Sequence, residues 1–135
     1  VVQSNLATTY EQIGRRDEAL SLRREAYSGY LKLRGEEHED TLISASNYAG
    51  TLVLLKRYQE TKTLFRKKIP VARRVLGENH AYTLRLRWNY ASALFSDDAA
   101  SLDDLREAAT TLEDVEQTAR RVFGGAHPLA VEIER

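Results

Sequence analysis

Apolar and small side chains recur along the chain at intervals of three and four residues. The middle of the sequence shows this most clearly, at Leu42, Ala45, Tyr48, Ala49, Leu52 and Leu55. The spacing places an apolar stripe along one face and predicts an amphipathic α-helix over about residues 40–56. A second stripe predicts a helix over about residues 58–76, which ends at Gly77 because glycine accepts the left-handed backbone that often closes a helix. No alternating strand pattern competes, so the sequence predicts an all-α fold.

The predicted helix pair recurs with a period of 42 residues. A motif of Asn, then Leu or Tyr, then Ala begins at Asn5, Asn47 and Asn89. Several independent positions share this period, which makes chance a poor explanation. The third copy is about five residues longer, and residues 96–101 are the natural place for the insertion. We expect them to form a surface turn, and deletion of residues 97–101 should change stability by less than about 1 kcal/mol.

The period divides the chain into repeats of one domain over residues 1–135. The predicted boundaries are about 1–38 for repeat 1, 39–80 for repeat 2, 81–127 for repeat 3 and 128–135 for a partial helix of a fourth. Pro70 falls inside the second helix of repeat 2. There we expect a local kink rather than two separate helices, because the apolar stripe continues beyond the proline.

Three segments together resemble the tetratricopeptide repeat. They are Asn-Leu-Ala-x-x-Tyr in residues 5–10, Gly-Arg-x-Asp-Glu-Ala-Leu in residues 14–20, and a Gly-x-x-His loop in residues 35–38 that precedes Thr-Leu. The 42-residue step is similar to the long-repeat branch typified by kinesin light chains. The resemblance implies a right-handed superhelical solenoid of antiparallel helix pairs, with about three repeats, that serves as a protein-interaction scaffold. The sequence departs from the family pattern at Arg23, Thr61 and Lys68.

Composition narrows the class of protein. The chain has 135 residues, with 20 Lys and Arg against 20 Asp and Glu and no cysteine. Zero net charge argues against a globally basic nucleic-acid binder, and the lack of cysteine excludes disulfides, Cys-based zinc sites and thiol catalysis. No apolar run is long enough to span a membrane, and nothing resembles a signal peptide. We therefore expect a cytoplasmic protein with no membrane attachment, and Val1 suggests a piece of a longer repeat array.

The residues that could carry chemistry have simpler structural explanations. The histidines are His38, His80 and His127, one per loop, and stacked repeats would hold them roughly 10 Å apart, too far to share a metal ion. We expect each to meet the start of the next helix. The acidic pairs at 97–98 and 103–104 flank a predicted helix N-terminus, which favours negative charge. No nucleophile or phosphate-binding motif is present, so we expect no enzyme, no cofactor and no metal site.

Charge is balanced overall but segregated along the chain. Residues 56–74 contain eight basic side chains against Glu60 alone, and residues 97–116 contain eight acidic side chains against Arg106 alone. The basic segment could serve as an electrostatic platform for an acidic protein or RNA. Alternatively, the two segments lie on neighbouring helices and partly neutralise each other, which is the interpretation that we favour.

The resemblance also implies where a ligand binds, because the first helix of each repeat lines the concave surface in this family. Asn5, Asn47 and Asn89 share one helical phase, and in the family an asparagine here hydrogen-bonds an extended peptide backbone. An amide suits that task because it offers both donors and an acceptor. The predicted peptide-binding groove comprises Asn5, Ser46, Asn47, Gly50, Leu54, Arg85, Trp88, Asn89, Ser92 and Phe95.

In this groove Trp88 and Phe95 are expected to form an aromatic wall. The amides could instead join neighbouring helices to one another. The functional hypothesis is a scaffold that binds a peptide segment of a protein partner in the concave groove, with nucleic acid an unlikely ligand. The alternatives are the basic platform and a structural spacer in a larger signalling protein.

Overall fold

The computed structural model describes residues 6–9, 12 and 14–124, and all regular secondary structure within them is helical. Residues 6–9 are helical and precede five further helices: α1 (Arg16–Arg34), α2 (Glu39–Leu54), α3 (Tyr58–Val75), α4 (Ala81–Ser96) and α5 (Leu102–Phe123). The all-α prediction is confirmed for this part of the chain. Asn5, His127 and the helix predicted over residues 128–135 lie outside the described residues.

Two of the histidines cap the N-termini of α2 and α4. His38 is the N-cap of α2, where its Nδ1 atom accepts a hydrogen bond of 3.0 Å from the backbone N–H of Asp40. His80 does the same for α4, accepting from the backbone N–H of Tyr82 at 3.2 Å. Such a cap satisfies a donor that has no partner within the helix. The expected structural role is therefore confirmed for His38 and His80.

The helix ends follow from backbone conformations that the sequence supplies. Gly77 lies just beyond α3 with a φ of 101°, in the left-handed region that glycine occupies without strain. Lys56 makes the tight turn between α2 and α3 with a φ of 59°, so α2 ends two residues before the predicted boundary. Helix α3 runs through Pro70 without dividing, as expected.

The helices form two layers. Each described helix packs against the next one along the chain, and α2 also packs against α4. The Cα atoms of helices α1, α3 and α5 do not come within 8 Å of one another, and only long side chains reach between these helices. Helices α2 and α4 therefore form an inner layer, and α1, α3 and α5 form an outer one.

The core lies between these layers. One cluster joins Leu42 and Ala49 of α2 to Phe65 of α3 and Leu86 of α4, each with no exposed side-chain surface. A second cluster joins Leu84 of α4 to α5 through Val115 and Ala119, and a third joins Ala91 and Leu94 to Ala108. Each cluster spans consecutive helices, so every repeat depends on the next for burial.

The inserted turn contributes more than the sequence indicated. Asp97 accepts a hydrogen bond from the backbone N–H of Ala99 at 3.0 Å, and its other oxygen lies 2.9 Å from Nζ of Lys62 on α3. Both side chains of this ion pair are mostly buried. Ser101 and Asp104 then form a reciprocal capping box at the start of α5. The interhelical ion pair and the helix cap argue against the expectation that this turn can be deleted at little cost.

The Asp97 carboxylate should make stability depend on pH. The backbone N–H of Ala99, and then Lys62, hold the pKa of Asp97 below its usual range. The folded-state pKa thus lies below the unfolded value of about 3.9. The stabilisation is present above that value and is lost as the pH falls through the folded-state pKa. We expect Asp97→Ala to lower the urea midpoint at pH 7, and the gap from the parent to narrow steadily on acidification to about pH 2. Asp98→Ala, at the exposed neighbouring carboxylate, is the matched control and should leave the midpoint unchanged.

The histidine cap can be tested by a paired substitution. His38→Ala removes the acceptor for the Asp40 N–H and should lower the free energy of unfolding by about 1 kcal/mol. His38→Asn supplies another side-chain acceptor and should recover most of the loss. Chemical denaturation followed by circular dichroism measures both. Equal destabilisation by the two variants would show that the imidazole matters for its packing rather than as a cap.

Candidate functional site

One narrow face of the inner layer remains partly open. Successive helix residues are about 100° apart, so four positions of α2 fall within a sector of about 60°. Their side chains are half-buried or exposed, and the equivalent positions of α4 have the same exposure. We call these two rows the inner face: Ile43, Asn47, Gly50 and Leu54 of α2, with Arg85, Asn89, Ser92 and Ser96 of α4. Ile43 and Ser96 were not predicted from the sequence. The 42-residue period could have found them, because Ile43 is equivalent to Arg85 and Ser96 is equivalent to Leu54.

The two asparagines at the centre of the inner face have no internal partners. The side-chain amides of Asn47 and Asn89 make no hydrogen bond to any residue within 6–9, 12 and 14–124. Both side chains are half-buried. Within these residues, the alternative in which the amides join neighbouring helices is therefore wrong. A half-buried amide without a protein partner is available to an external donor or acceptor.

The rest of the inner face leaves room beside these amides. A Cβ atom added to Gly50 would meet no heavy atom within 4 Å, so packing does not require glycine there. Ser92, the equivalent residue of α4, is also small and half-buried. Leu54 is 45% exposed at the end of α2. The face therefore combines amide groups, open space and an exposed apolar side chain.

Ser46 does not belong to this face. Its side chain is only 2% exposed, and its hydroxyl has no hydrogen-bond partner among the described residues. The prediction that Ser46 lines the groove was wrong. Ser46 lies on the same side of α2 as Leu42 and Val53, and this side packs against Leu86 of α4.

Trp88 has a packing role that the sequence prediction missed. It occupies the same place in α4 as Ser46 in α2 and packs against the cluster of Leu84, Val115 and Ala119. The prediction that Trp88 lies beside Asn47 and Asn89 in the groove was wrong, because a side chain at this position of α4 faces α5. Phe95, two turns further on, is 67% exposed. Half-buried packing of Trp88 against α5 contradicts the expected aromatic wall.

The basic segment is largely paired within the chain. Ion pairs of the described residues are Arg57–Glu60, Lys62–Asp97, Lys68–Glu36, Arg73–Glu78 and Arg74–Glu37. They engage five of the eight basic side chains of residues 56–74. Three of these acidic partners lie in the loops that follow α1 and α3.

The acidic segment contributes less to this neutralisation than expected. The Cα atoms of helices α3 and α5 stay more than 8 Å apart, and the interaction between the two helices runs through long side chains. Hydrogen bonding with Tyr90 raises the pKa of Arg66, and the nearby Glu107 and Asp104 add to this effect. The backbone N–H of Ser101 is the main cause of the lowered pKa of Asp104, with smaller contributions from Lys62 and Arg66. The predicted charge neutralisation between neighbouring helices therefore holds only for Lys62 and Arg66 of α3.

Neither a metal-ligand cluster nor a membrane-spanning helix is found in the described part of the chain. No group of three or more His, Cys, Asp or Glu side chains among them is placed to hold a metal ion. Within residues 6–9, 12 and 14–124, no helix has both the length and the apolar character needed to cross a membrane.

Comparison with known proteins identifies the repeat. The stacked helix pairs define a helical-repeat protein, and residues 1–67 match the tetratricopeptide repeat. The matched part of the chain, residues 1–67, belongs to the tetratricopeptide-repeat family. Repeats of this family are generally protein–protein interaction modules, on a scaffold fold that is not itself enzymatic. No curated protein matches the sequence.

Two crystal structures have the same fold. Both are of a putative kinesin light chain from Podosopora anserina with nearly identical TPR-like repeats, and one of them is a single-substitution variant. Each superposes with a TM-score of 0.84 at 22% sequence identity over 98% of this chain. The chain spans 60% and 61% of the length of these two neighbours. The likeness confirms the predicted TPR-like superhelical solenoid of antiparallel helix pairs.

The packing role of Trp88 can be measured directly. Trp88→Ala removes a large side chain from the cluster with Val115 and should lower the free energy of unfolding by about 3 kcal/mol. Phe95→Ala, at the exposed aromatic of the same helix, is the matched control and should stay within about 0.5 kcal/mol. Urea denaturation followed by circular dichroism compares the two. A Trp88→Ala variant as stable as the parent would contradict the packing assignment.

Proposed function

We propose that the chain is a protein-interaction scaffold that binds an extended peptide segment along the inner face. The observation that carries this proposal is the pair of amides, Asn47 and Asn89, which are half-buried and make no hydrogen bond to the described residues. An extended backbone presents N–H and C=O groups, and a carboxamide can pair with both.

The spacing of the helices suggests how a peptide would be bound. Packed helices lie about 8–10 Å apart, and an extended peptide advances about 3.3 Å per residue. Asn47 on α2 and Asn89 on α4 would therefore contact backbone groups about three residues apart. Ile43 and Leu54 offer apolar surface beside the amides, so the ligand should carry an apolar side chain on the flank that faces α2.

The charge near the two amides indicates which kind of peptide segment would bind. Arg85 is the one ionisable side chain of the inner face as defined above, and it lies four residues before Asn89 on α4. A single cation is a weak match to the family's grip on a C-terminal carboxylate, which uses several Lys, Arg and Asn side chains. We therefore propose an internal peptide segment rather than a free C-terminus as the ligand.

The two alternatives have less support. A basic platform for an acidic protein or RNA needs cations that are free to meet phosphates, whereas five of the eight in residues 56–74 form internal ion pairs. A purely structural spacer would have no use for unpartnered amides in a column. We further propose a place within a longer repeat array, because the solved neighbours extend well beyond the length of this chain. The cytoplasmic location expected from the sequence stays a prediction.

The proposal predicts a specific pattern of loss. Asn47→Ala and Asn89→Ala should each weaken binding of a captured peptide by about 0.5 to 1.5 kcal/mol, the scale of one hydrogen bond. The free domain should stay nearly as stable, because neither amide has a described partner. Asn79→Ala, at an exposed asparagine in the loop after α3, is the matched control. The measurement is isothermal titration with a peptide selected from a random library.

The same experiment can contradict the proposal. If both variants bind the selected peptide as tightly as the parent, the inner face is not the peptide site. If the parent retains no library peptide, the result favours the alternative in which the chain is a structural spacer.

A further inference from the structure

Gly50 is the one residue of the inner face without a side chain. It lies inside α2, four residues before the helix ends at Leu54. Glycine is the least favourable residue within a helix after proline, because it loses the most backbone freedom on folding. A glycine inside a helix therefore calls for a reason, such as an unusual backbone conformation or a tightly packed neighbour.

Neither reason applies to Gly50. Its φ is not positive, so other residues can adopt its backbone conformation. A Cβ atom added to it would meet no heavy atom within 4 Å, so no neighbouring helix comes too close for a side chain. The repeat itself does not require glycine, because Thr8 and Ser92 occupy the equivalent places one period away. The free space over Gly50 is therefore a feature of α2 that folding leaves unexplained.

Helical geometry places this space beside an unpartnered amide. Successive residues are about 100° apart, so Gly50 lies about 60° from Asn47 and about 40° from Ser46 around α2. Ser46 is buried on the side of α2 that packs against α4. Gly50 itself is half-buried. It is therefore turned toward the junction between α2 and α4, and the space that its missing side chain leaves lies between Asn47 and that junction.

The inner-face residues around the space are uncharged. Leu54 is one turn further along α2, about 40° from Gly50, and is 45% exposed. On α4, Asn89 and Ser96 lie one turn before and one turn after the place equivalent to Gly50. Arg85 is two turns before that place, about 10 Å along the helix. A charged group would lose water here without an opposite charge beside it, so the space favours an apolar occupant.

We propose that Gly50 is a specificity-determining residue of the inner face, and that the space over it receives one large apolar side chain of the bound peptide, of the size of leucine or phenylalanine. This inference rests on the proposed function, because it concerns the same peptide in the same site. It adds the chemical class of the residue that the site selects.

The extended form of the peptide brings such a side chain to Gly50. Successive side chains of an extended chain point to opposite sides. A peptide whose backbone pairs with Asn47 and Asn89 therefore directs a side chain from the stretch between them toward the helices, where Gly50 leaves room. Backbone pairing tolerates many sequences, whereas a space for one side chain selects among them. Leu54 supplies apolar contact at the edge of the space.

The test fills the space from the protein side. The probe is the peptide that the parent chain selects from a random library, with versions in which each residue in turn is alanine. In isothermal titration, alanine at one apolar residue should weaken binding to the parent by about tenfold or more. Gly50→Leu should weaken binding of the original peptide by a similar factor, and Gly50→Ala by a smaller one. The alanine peptide should bind Gly50→Leu and the parent within about twofold of each other, because the two side chains compete for one space.

Gly29→Leu is the matched control. Gly29 is the other glycine inside a described helix, and a Cβ atom there also meets no heavy atom within 4 Å, but it is exposed on α1 of the outer layer. Both leucine variants should raise the urea midpoint, because leucine is a much better helix former than glycine. Only Gly50→Leu should weaken peptide binding. A loss of affinity in a variant at least as stable as the parent does not come from unfolding.

The outcomes separate this inference from the proposed function. If Asn47→Ala weakens binding and Gly50→Leu does not, the peptide site stands and the role of Gly50 is overturned. The role is also overturned if Gly50→Leu weakens the original and the alanine peptide by the same factor, because leucine would then be obstructing the peptide backbone. If neither variant weakens binding, or the parent selects no peptide, the proposed function and this inference both fail.

Discussion

The structure depends on one constraint: no helix of the array can bury its apolar stripe alone. Leu42 of α2 is covered only because Phe65 of α3 and Leu86 of α4 pack against the same cluster, and Leu84 of α4 depends in turn on Val115 of α5. Stability is therefore the sum of interfaces between consecutive helices. This constraint leaves exposed the faces that point away from the neighbours, and the proposed inner-face site lies on such a face.

Polar contacts follow the same period as the hydrophobic ones. The pairs that repeat after 42 residues are Arg15–Glu18 with Arg57–Glu60, Arg24–Tyr48 with Arg66–Tyr90, and His38–Asp40 with His80–Tyr82. Each surface pair contributes little by itself. Of these, the Arg24–Tyr48 and Arg66–Tyr90 contacts join an outer helix to the inner helix that follows it.

The sequence was sufficient for the fold because periodicity and caps are local signals. The stripe through Leu42 and Leu52, the 42-residue step and the loop histidines predicted the helices and their pairing. The site was harder, because a change of one residue turns a side chain by about 100°. Ser46 and Trp88 were predicted to line the groove because each directly precedes an asparagine of the inner face. In the structure their side chains lie on a different side of the helix, where neighbouring helices cover them.

The central claim is that unpartnered amides on the inner face hold a peptide backbone. The most direct measurement is nuclear magnetic resonance of the side-chain carboxamide groups of Asn47 and Asn89, with a library-selected peptide added in steps. The account predicts that both carboxamide signals shift with the same saturation curve and become protected from solvent exchange, while the indole signal of Trp88 stays in place. A shift of the Trp88 indole with unchanged carboxamide signals would contradict it.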